Sequence, residues 1–276
     1  MTASLLAADA MMVLGGVCLF LVATMAIFAG RCATIGRPPE DECVSASVLP
    51  AWLRSWWRWM CSPLVRACLR LGIPAEAVAL LGVTASAFAA VAAVSRSLGF
   101  AGWMYLSAAS LAGIGAQVAR MEGRPGRAAA LLDGSLGRLA ELMMLGALVY
   151  TVRDHEGALV AGLFAMGATM LTSDARLRSE AMGAALSSRA SWFGRSERAL
   201  LIGGPCALAP AADALFHRGA SLDILAASLV LVAALGAVSA VRRIHTAHEA
   251  LRTIDALSDN SRESGRRLRL VRGGRV

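Results

Sequence analysis

Several charged residues lie along the stretch that joins two long apolar segments in the middle of the chain, and three of them could form a site. Arg120 ends the first segment, Asp133 and Arg138 lie in the second, and the turn between them reads GRPGR, whose Pro and Gly favour a helical hairpin. A charge among apolar segments is expensive to bury, so an acid there belongs to a functional site or to an ion pair. Two interpretations of Asp133 follow: it faces arginines in a site, or it pairs with Arg120 or Arg138 and ties the hairpin together.

A second charged group lies further along the chain, in the stretches TSDARLRSEAMG and GRSERALL. Its members are Arg176, Arg178, Arg195 and Arg198. Arginines that converge on one point bind phosphate well, because each planar guanidinium group donates several hydrogen bonds to the phosphate oxygens. The alternative is an ordinary excess of positive charge on one face of a membrane, with local pairing of Arg to Glu.

The composition indicates that membrane-spanning helices position these residues. The chain has 276 residues, of which 57% are hydrophobic and 17% charged, and its mean hydropathy is +0.60. A soluble domain would be about half apolar and about a quarter charged. The apolar residues occur in blocks of roughly 20, the length of helix that crosses a bilayer. We therefore predict an all-α, multi-pass membrane protein with spans at about 10–30, 75–94, 102–119, 128–152, 158–172, 199–216 and 222–241.

These spans divide the chain into four regions. Residues 1–31 form an N-terminal transmembrane anchor. Residues 32–72 form a linker and an interfacial amphipathic helix in which arginines alternate with tryptophans, which are Trp52, Trp56, Trp57 and Trp59. Residues 73–243 form a membrane domain of six helices. Residues 244–276 form a basic tail, which we expect to be a mobile strip attracted to anionic lipid.

The distribution of charge predicts the orientation and the surface that the protein contacts. All 27 basic residues are arginines, and the formal net charge is +8. The arginine-rich connections share one side of the cell membrane if the N-terminus is outside and the C-terminus is cytoplasmic. Because the arginines flank apolar spans, anionic lipid accounts for the positive charge better than nucleic acid does, and we predict no nucleic-acid partner.

The stretch 112–137 resembles the signature of the CDP-alcohol phosphatidyltransferases, Asp-x2-Asp-Gly-x2-Ala-Arg-x8-Gly-x3-Asp-x3-Asp, with the spacing kept. The run ALLDGSLGRLAE resembles the family's sequence through its third acid. The two arginine stretches resemble those of bacterial members that transfer to inositol phosphate or glycerol phosphate. The resemblance covers about 52–243 and implies a dimeric six-helix bundle that acts on CDP-diacylglycerol. It also implies that Arg176, Arg178, Arg195 and Arg198 converge on a cytoplasm-facing cavity that holds the acceptor phosphate.

The resemblance fails at most of the catalytic positions. In the family, four acids bind two divalent cations and the CDP pyrophosphate, and the last acid is the proposed base. The corresponding residues are Ala112, Gly115, Asp133 and Gly137, so Asp133 is the one retained acid and the one candidate metal ligand. Arg120 and Arg138 remain as parts of the motif. Because two Mg²⁺ ions would bring four positive charges to one acid, we expect no cofactor, with Mg²⁺ or Mn²⁺ needed only by an active enzyme.

Three functional hypotheses follow. The first is a catalytically degenerate member of the family that binds CDP-diacylglycerol or a phosphorylated polyol and assists or regulates phospholipid synthesis, as a homodimer or as a heterodimer with an active relative. The second is an active CDP-alcohol phosphatidyltransferase that releases CMP and uses Asp133 with other acids, for which the candidates are Glu122, Glu141 and Asp174. The third, a small-molecule transporter, fits less well because the spans consist mostly of Ala, Leu, Val and Gly.

Overall fold

The computed structural model describes residues 2–35, 50–123, 127–183, 193–217 and 219–273, and every regular element in these ranges is a helix. The helices are α1 (Thr2–Ile35), α2 (Ala51–Arg70), α3 (Ala75–Val94), α4 (Leu98–Met121), α5 (Arg127–Thr151), α6 (Glu156–Ala181), α7 (Arg195–Leu215) and α8 (Ala220–Gly273). The prediction of an all-α fold is confirmed. Each predicted span coincides with a long helix, and the predicted linker at 36–49 lies outside the described residues.

Five of the described helices are apolar and long enough to cross a bilayer, namely those that contain Gly15–Thr34, Ala75–Val94, Leu98–Met121, Glu156–Ser179 and Ala220–Ile254. Large apolar side chains on their outer faces are exposed, among them Phe88 and Phe164. Exposed apolar surface on this scale belongs in lipid. Helices α5 and α7 are of similar length, 25 and 21 residues, and each carries several charged residues.

Helices α3 to α8 enclose one apolar core, in which side chains such as Met144, Leu148, Ile202 and Leu229 are fully buried. Two hydrogen bonds between helices fix α5 against α3. The Ser86 hydroxyl donates to the Ala140 carbonyl at 2.7 Å, and the Thr151 hydroxyl donates to the Ala93 carbonyl at 3.0 Å. In an apolar surrounding these bonds hold one helix at a fixed height on the other.

Helices α4 and α7 approach each other closely at Gly102. A Cβ atom at this position would collide with the backbone of Ala207, so the two helices can meet only because Gly102 lacks a side chain. Helix α7 begins with a turn at Arg195. The turn itself is closed by Glu197, whose carboxylate accepts a hydrogen bond from the Gly194 backbone N–H at 3.0 Å.

The N-terminal anchor α1 is attached to the amphipathic helix α2 through Phe28. Its buried ring lies 5.9 Å from the ring of Trp52 and 5.6 Å from the ring of Trp59, measured between ring centroids. On its other side, α2 buries Cys61 and Val65 against the start of α3 and the end of α4. Burial raises the pKa of the Cys61 thiol, so this residue packs as a small neutral group. The prediction of an extra anchor and an amphipathic helix is confirmed.

Helix α8 is 54 residues long and continues without a break from its apolar part to Gly273. The basic tail predicted after residue 243 is therefore helical as far as Gly273, and its mobility and its attraction to anionic lipid stay predictions. Residues 244–273 lack Pro and contain six Arg, four Leu and three Ala, which favour a helix even where no apolar face demands one. A local contact between His245 and Glu249, 3.7 Å apart and four residues apart in sequence, lies in this extension.

Candidate functional site

A cavity of about 230 Å³ lies among α3, α4, α5 and α7, at the end of the bundle where the hairpin between α4 and α5 meets the first turn of α7. Small apolar residues form its wall on the side of α3 and α4, among them Ala79, Gly82 and Ala109. The opposite wall is polar and carries Asp133 and Glu141 from α5, and Arg195 and Ser196 from α7. The cavity therefore has one apolar and one charged wall.

Three of the four positions that correspond to the family's acids line this cavity: Ala112, Asp133 and Gly137. They come from two helices, so the spacing of the motif brings them together in space. The remaining position, that of the second acid, is Gly115, which is buried against α3 instead; a Cβ atom there would lie 3.4 Å from the Ala75 carbonyl oxygen. Asp133 is therefore the acid of the motif that remains in the cavity.

The Arg195 side chain occupies the space above Gly137. A Cβ atom built on Gly137 would clash with the guanidinium group of Arg195, so this arginine fills the volume that a side chain at the fourth acid position would need. The same guanidinium group lies 3.9 Å from the Asp133 carboxylate, and both side chains are about two-fifths exposed. The Arg195 cation is thus held where the family's signature has carboxylates.

A buried ion pair lies beside this contact, between Glu141 and Arg198. The Arg198 Nε donates to Glu141 Oε1, and a second guanidinium N–H donates to Oε2 at 3.2 Å. Glu141 is 4% exposed and Arg198 is 7% exposed, so each charge depends on the other for its solvation. With Asp133 and Arg195, the pair forms a group of two acids and two arginines whose charges cancel.

This pair is not among the predictions made from the sequence. Glu141 was expected only as a substitute acid for an active enzyme, and Arg198 only as a phosphate ligand. One signal could have found Glu141: Asp133, Gly137 and Glu141 are spaced by four residues, which places them on one face of α5. Tyr105 was also missed, although it lines the cavity and is 5% exposed.

The prediction that Asp133 pairs with Arg120 or Arg138 within the hairpin is corrected by the structure. The ion pair that the structure gives Asp133 is with Arg195, whereas Arg138 Nε donates to the Gly134 carbonyl and Arg120 Nε donates to the Ala116 carbonyl, both at 3.3 Å. Helix geometry explains this result for Arg138, because a residue five positions along an α-helix points about 140° away.

The predicted convergence of four arginines is also corrected. Arg195 lines the cavity, and the buried Arg198 pairs with the cavity residue Glu141 without lining the cavity itself. Arg176 and Arg178 are exposed residues of α6 that do not line it. Arg178 lies 2.7 Å from Asp174, four residues earlier on the same helix, so its guanidinium group is held on the surface of α6. The second arginine stretch contributes to the cavity, and the first does not.

A two-metal centre does not fit these residues. Within the described part of the chain, no group of three His, Cys, Asp or Glu side chains lies close enough together to hold a metal ion. Glu141 is already paired with Arg198, and a cation beside Asp133 would lie next to the Arg195 guanidinium group. Mg²⁺ and Mn²⁺ require several carboxylate or substrate oxygens, so this arrangement disfavours either ion.

The chain is similar to curated phosphatidylinositol phosphate synthases of mycobacteria. The protein of Mycobacterium bovis (strain BCG / Pasteur 1173P2) is 25% identical over 219 residues, which cover 77% of this chain and 96% of the relative. The proteins of the same name from two strains of Mycobacterium tuberculosis match with the same identity and coverage. No family model matches the chain.

Crystal structures of the Mycobacterium tuberculosis phosphatidylinositol phosphate synthase have the same fold. The structure with CDP-DAG bound superposes with a TM-score of 0.59 at 21% identity and covers 68% of this chain and 94% of that protein. The structure with manganese and citrate gives a TM-score of 0.58 at 23% identity and covers 67% and 87%. The sequence similarity, the fold and the spacing of the motif agree: this chain is a multi-pass membrane protein that resembles the CDP-alcohol phosphatidyltransferases in sequence and in fold.

Proposed function

We propose that this protein is a catalytically degenerate member of its family that binds a phosphate-bearing lipid precursor without transferring it, and so assists or regulates phospholipid synthesis. One observation carries the proposal: the Arg195 guanidinium group fills the space above Gly137 where the family has its last acid. At this site the family's signature has acids that bind metal ions. In this chain, two acids face two arginines, so the formal charge of the group is zero.

The loss of transfer follows from the charges of the site. In a phosphatidyl transfer, the acceptor hydroxyl must lose a proton while negative charge develops on the departing CMP. Gly137 supplies no base, and a single acid cannot hold two metal ions that would neutralise the leaving group. Loss of even one such electrostatic contact typically lowers a rate by about two to three decades. We therefore expect no measurable turnover.

The ligand of this cavity would be CDP-diacylglycerol or a phosphorylated polyol. A mycobacterial relative has been crystallised with CDP-DAG bound, and the present cavity has an apolar wall beside an arginine. On the orientation proposed from the arginine-rich connections, the N-terminus is outside, the C-terminus is cytoplasmic and the cavity opens toward the cytoplasm. The basic end of α8 would then contact anionic lipid. The working unit would be a homodimer or a heterodimer with an active relative.

A transferase assay tests the absence of turnover. Purified protein would be incubated with CDP-diacylglycerol, Mg²⁺ or Mn²⁺, and inositol phosphate or glycerol phosphate, and the release of CMP would be measured. The mycobacterial phosphatidylinositol phosphate synthase serves as the positive control. We expect no CMP above the protein-free background. Metal-dependent release that disappears in Asp133→Ala would refute the proposal.

That result would favour the second candidate, an active CDP-alcohol phosphatidyltransferase. The observation in its favour is that two acids, Asp133 and Glu141, line the same cavity. The observation against it is that each acid already faces an arginine. Asp133 lies 3.9 Å from Arg195, and Glu141 forms a bidentate hydrogen-bonded ion pair with Arg198.

A further inference from the structure

We infer that α7 is hinged at residues 203–205, so that its inner segment, residues 195–204, swings relative to its outer segment, residues 205–215, and changes the width of the cavity. The inference rests on the proposed function only in taking the cavity as the binding site. It adds how access to that site is controlled, and it involves no chemical step.

The sequence of the hinge weakens the helix locally. Residues 203–205 read Gly-Gly-Pro in the middle of α7, which runs without a break from Arg195 to Leu215. Pro205 has no backbone N–H, so the Leu201 carbonyl receives no hydrogen bond from the residue four positions later. Glycine in a helix interior lowers helix stability further, because it leaves the backbone more freedom. Sharp bends in helices occur at such positions.

The outer segment is fixed on α4 by two close contacts. A Cβ atom on Gly102 would collide with the backbone of Ala207, and a Cβ atom on Gly99 would collide with the ring of Pro210. Pro210 is the second proline inside α7, but its ring is held against α4, so this position is not free to bend. The outer segment therefore follows α4, which belongs to the apolar wall of the cavity.

The inner segment is held on α5 by charged side chains. The Arg198 guanidinium group donates two hydrogen bonds to the Glu141 carboxylate, and the Arg195 guanidinium group lies 3.9 Å from the Asp133 carboxylate. Helix α5 belongs to the charged wall of the cavity. The two segments of α7 are thus attached to opposite walls, and a bend at the hinge changes the distance between these walls.

The cavity is lined only by the part of α7 that precedes the hinge. The three residues that α7 contributes to its wall are Arg195, Ser196 and Ala199. Eight residues separate Ser196 from Gly204, a length of about 12 Å along the helix. A bend of about 20° at the hinge would therefore move Ser196 by about 4 Å, a substantial change in the width of a cavity of about 230 Å³.

Distances between spin labels test the hinge, with the full chain in nanodiscs and in a background without other reactive thiols. The first pair joins Ser196→Cys in the inner segment to Glu76→Cys, an exposed residue in the first turn of α3. The second pair joins the same Glu76 label to Leu215→Cys, an exposed residue at the end of the outer segment. We expect the distances of the first pair to spread over about 4 Å more than those of the second pair.

Two variants stiffen the hinge, and a third is the matched control. Gly204→Ala should reduce the population of the bent form about fivefold, the usual effect of replacing a helical glycine by alanine. It fits without displacing a neighbour, because no atom lies within 4 Å of the position of its Cβ. Pro205→Ala restores the missing N–H donor and should act in the same direction. Gly146→Ala, which lies in α5 and has equally open space around its Cβ, should leave the distances of the Ser196 pair unchanged.

The inference is overturned if the distances of the Ser196 pair are as narrowly distributed as those of the Leu215 pair. It is also overturned if neither Gly204→Ala nor Pro205→Ala narrows the Ser196 distribution, or if Gly146→Ala narrows it equally. These outcomes are separate from those of the transferase assay. A rigid α7 would remove this inference and leave the proposed function intact, whereas release of CMP would remove the proposed function and leave the hinge.

Discussion

Replacing either Glu141 or Arg198 alone should strongly destabilise the bundle, because the other charge would remain buried without a partner. Replacing Arg198 with Met leaves the Glu141 carboxylate without a partner at 4% exposure. An uncompensated buried charge of this kind costs about 3–5 kcal/mol of folding free energy. For a protein of this size about 1 kcal/mol corresponds to about 2–4 °C, so we expect the melting temperature to fall by about 6–20 °C.

The double variant distinguishes a buried charge from a packing defect. Glu141→Leu combined with Arg198→Met removes both charges together, and such replacements are often neutral or stabilising. We therefore expect the double variant to melt within a few degrees of the wild type, well above either single variant. The interaction free energy from the double-mutant cycle is the quantity to report.

The control is the exposed pair of Arg178 and Asp174 on α6, whose atoms are 2.7 Å apart with the arginine 73% exposed. A pair of this kind contributes about 0.3–0.5 kcal/mol, so Arg178→Met should shift the melting temperature by about 2 °C or less. The reasoning would be refuted if Arg198→Met were no more destabilising than Arg178→Met, or if the effects of Glu141→Leu and Arg198→Met simply added. Thermal unfolding in detergent, followed by tryptophan fluorescence, is a sufficient assay.

Three further predictions follow from other parts of the structure. EDTA should leave the melting temperature unchanged and Mg²⁺ should not raise it; a rise that disappears in Asp133→Asn would mean that a metal site survives. Phe28→Ala should cost about 2–3 kcal/mol, the free energy of burying this ring, and shift tryptophan emission to longer wavelength, while Leu19→Ala on the exposed face of α1 should do neither. In a background without other reactive thiols, Ser4→Cys should react with an impermeant maleimide in intact cells and Gly274→Cys only after lysis; equal labelling would contradict the proposed orientation.

The helices were predictable because a bilayer enforces them. A segment that crosses lipid must satisfy its backbone hydrogen bonds internally and be apolar for about 20 residues, so sequence alone placed α3 at 75–94, as the structure does. The same reasoning treated the residues after 243 as a tail, because apolar periodicity was absent. Helix propensity, rather than burial, governs that part of α8, and propensity leaves a weaker signal.

The site was predictable only in part. The motif spacing correctly brought Ala112, Asp133 and Gly137 to one place. The ion pairs were not predictable, because they join α5 to α7, two helices that are far apart in the sequence. Glu141 and Arg198, for example, are 57 residues apart. A missing side chain, such as that of Gly137, gives no indication in the sequence of which neighbour fills the space.

The length of α8 has a mechanical consequence. At 1.5 Å per residue, its 54 residues form a rod of about 81 Å, whereas the hydrocarbon core of a bilayer is about 30 Å thick. Its membrane part is fastened to α6, where Arg243 donates to the Thr172 carbonyl at 3.2 Å. A continuous helix has no hinge, so a tilt imposed on the rod from the aqueous side acts as a lever on this fastening point. A surface or protein that binds the basic end of α8 and tilts it therefore exerts a torque on the helices that surround the cavity.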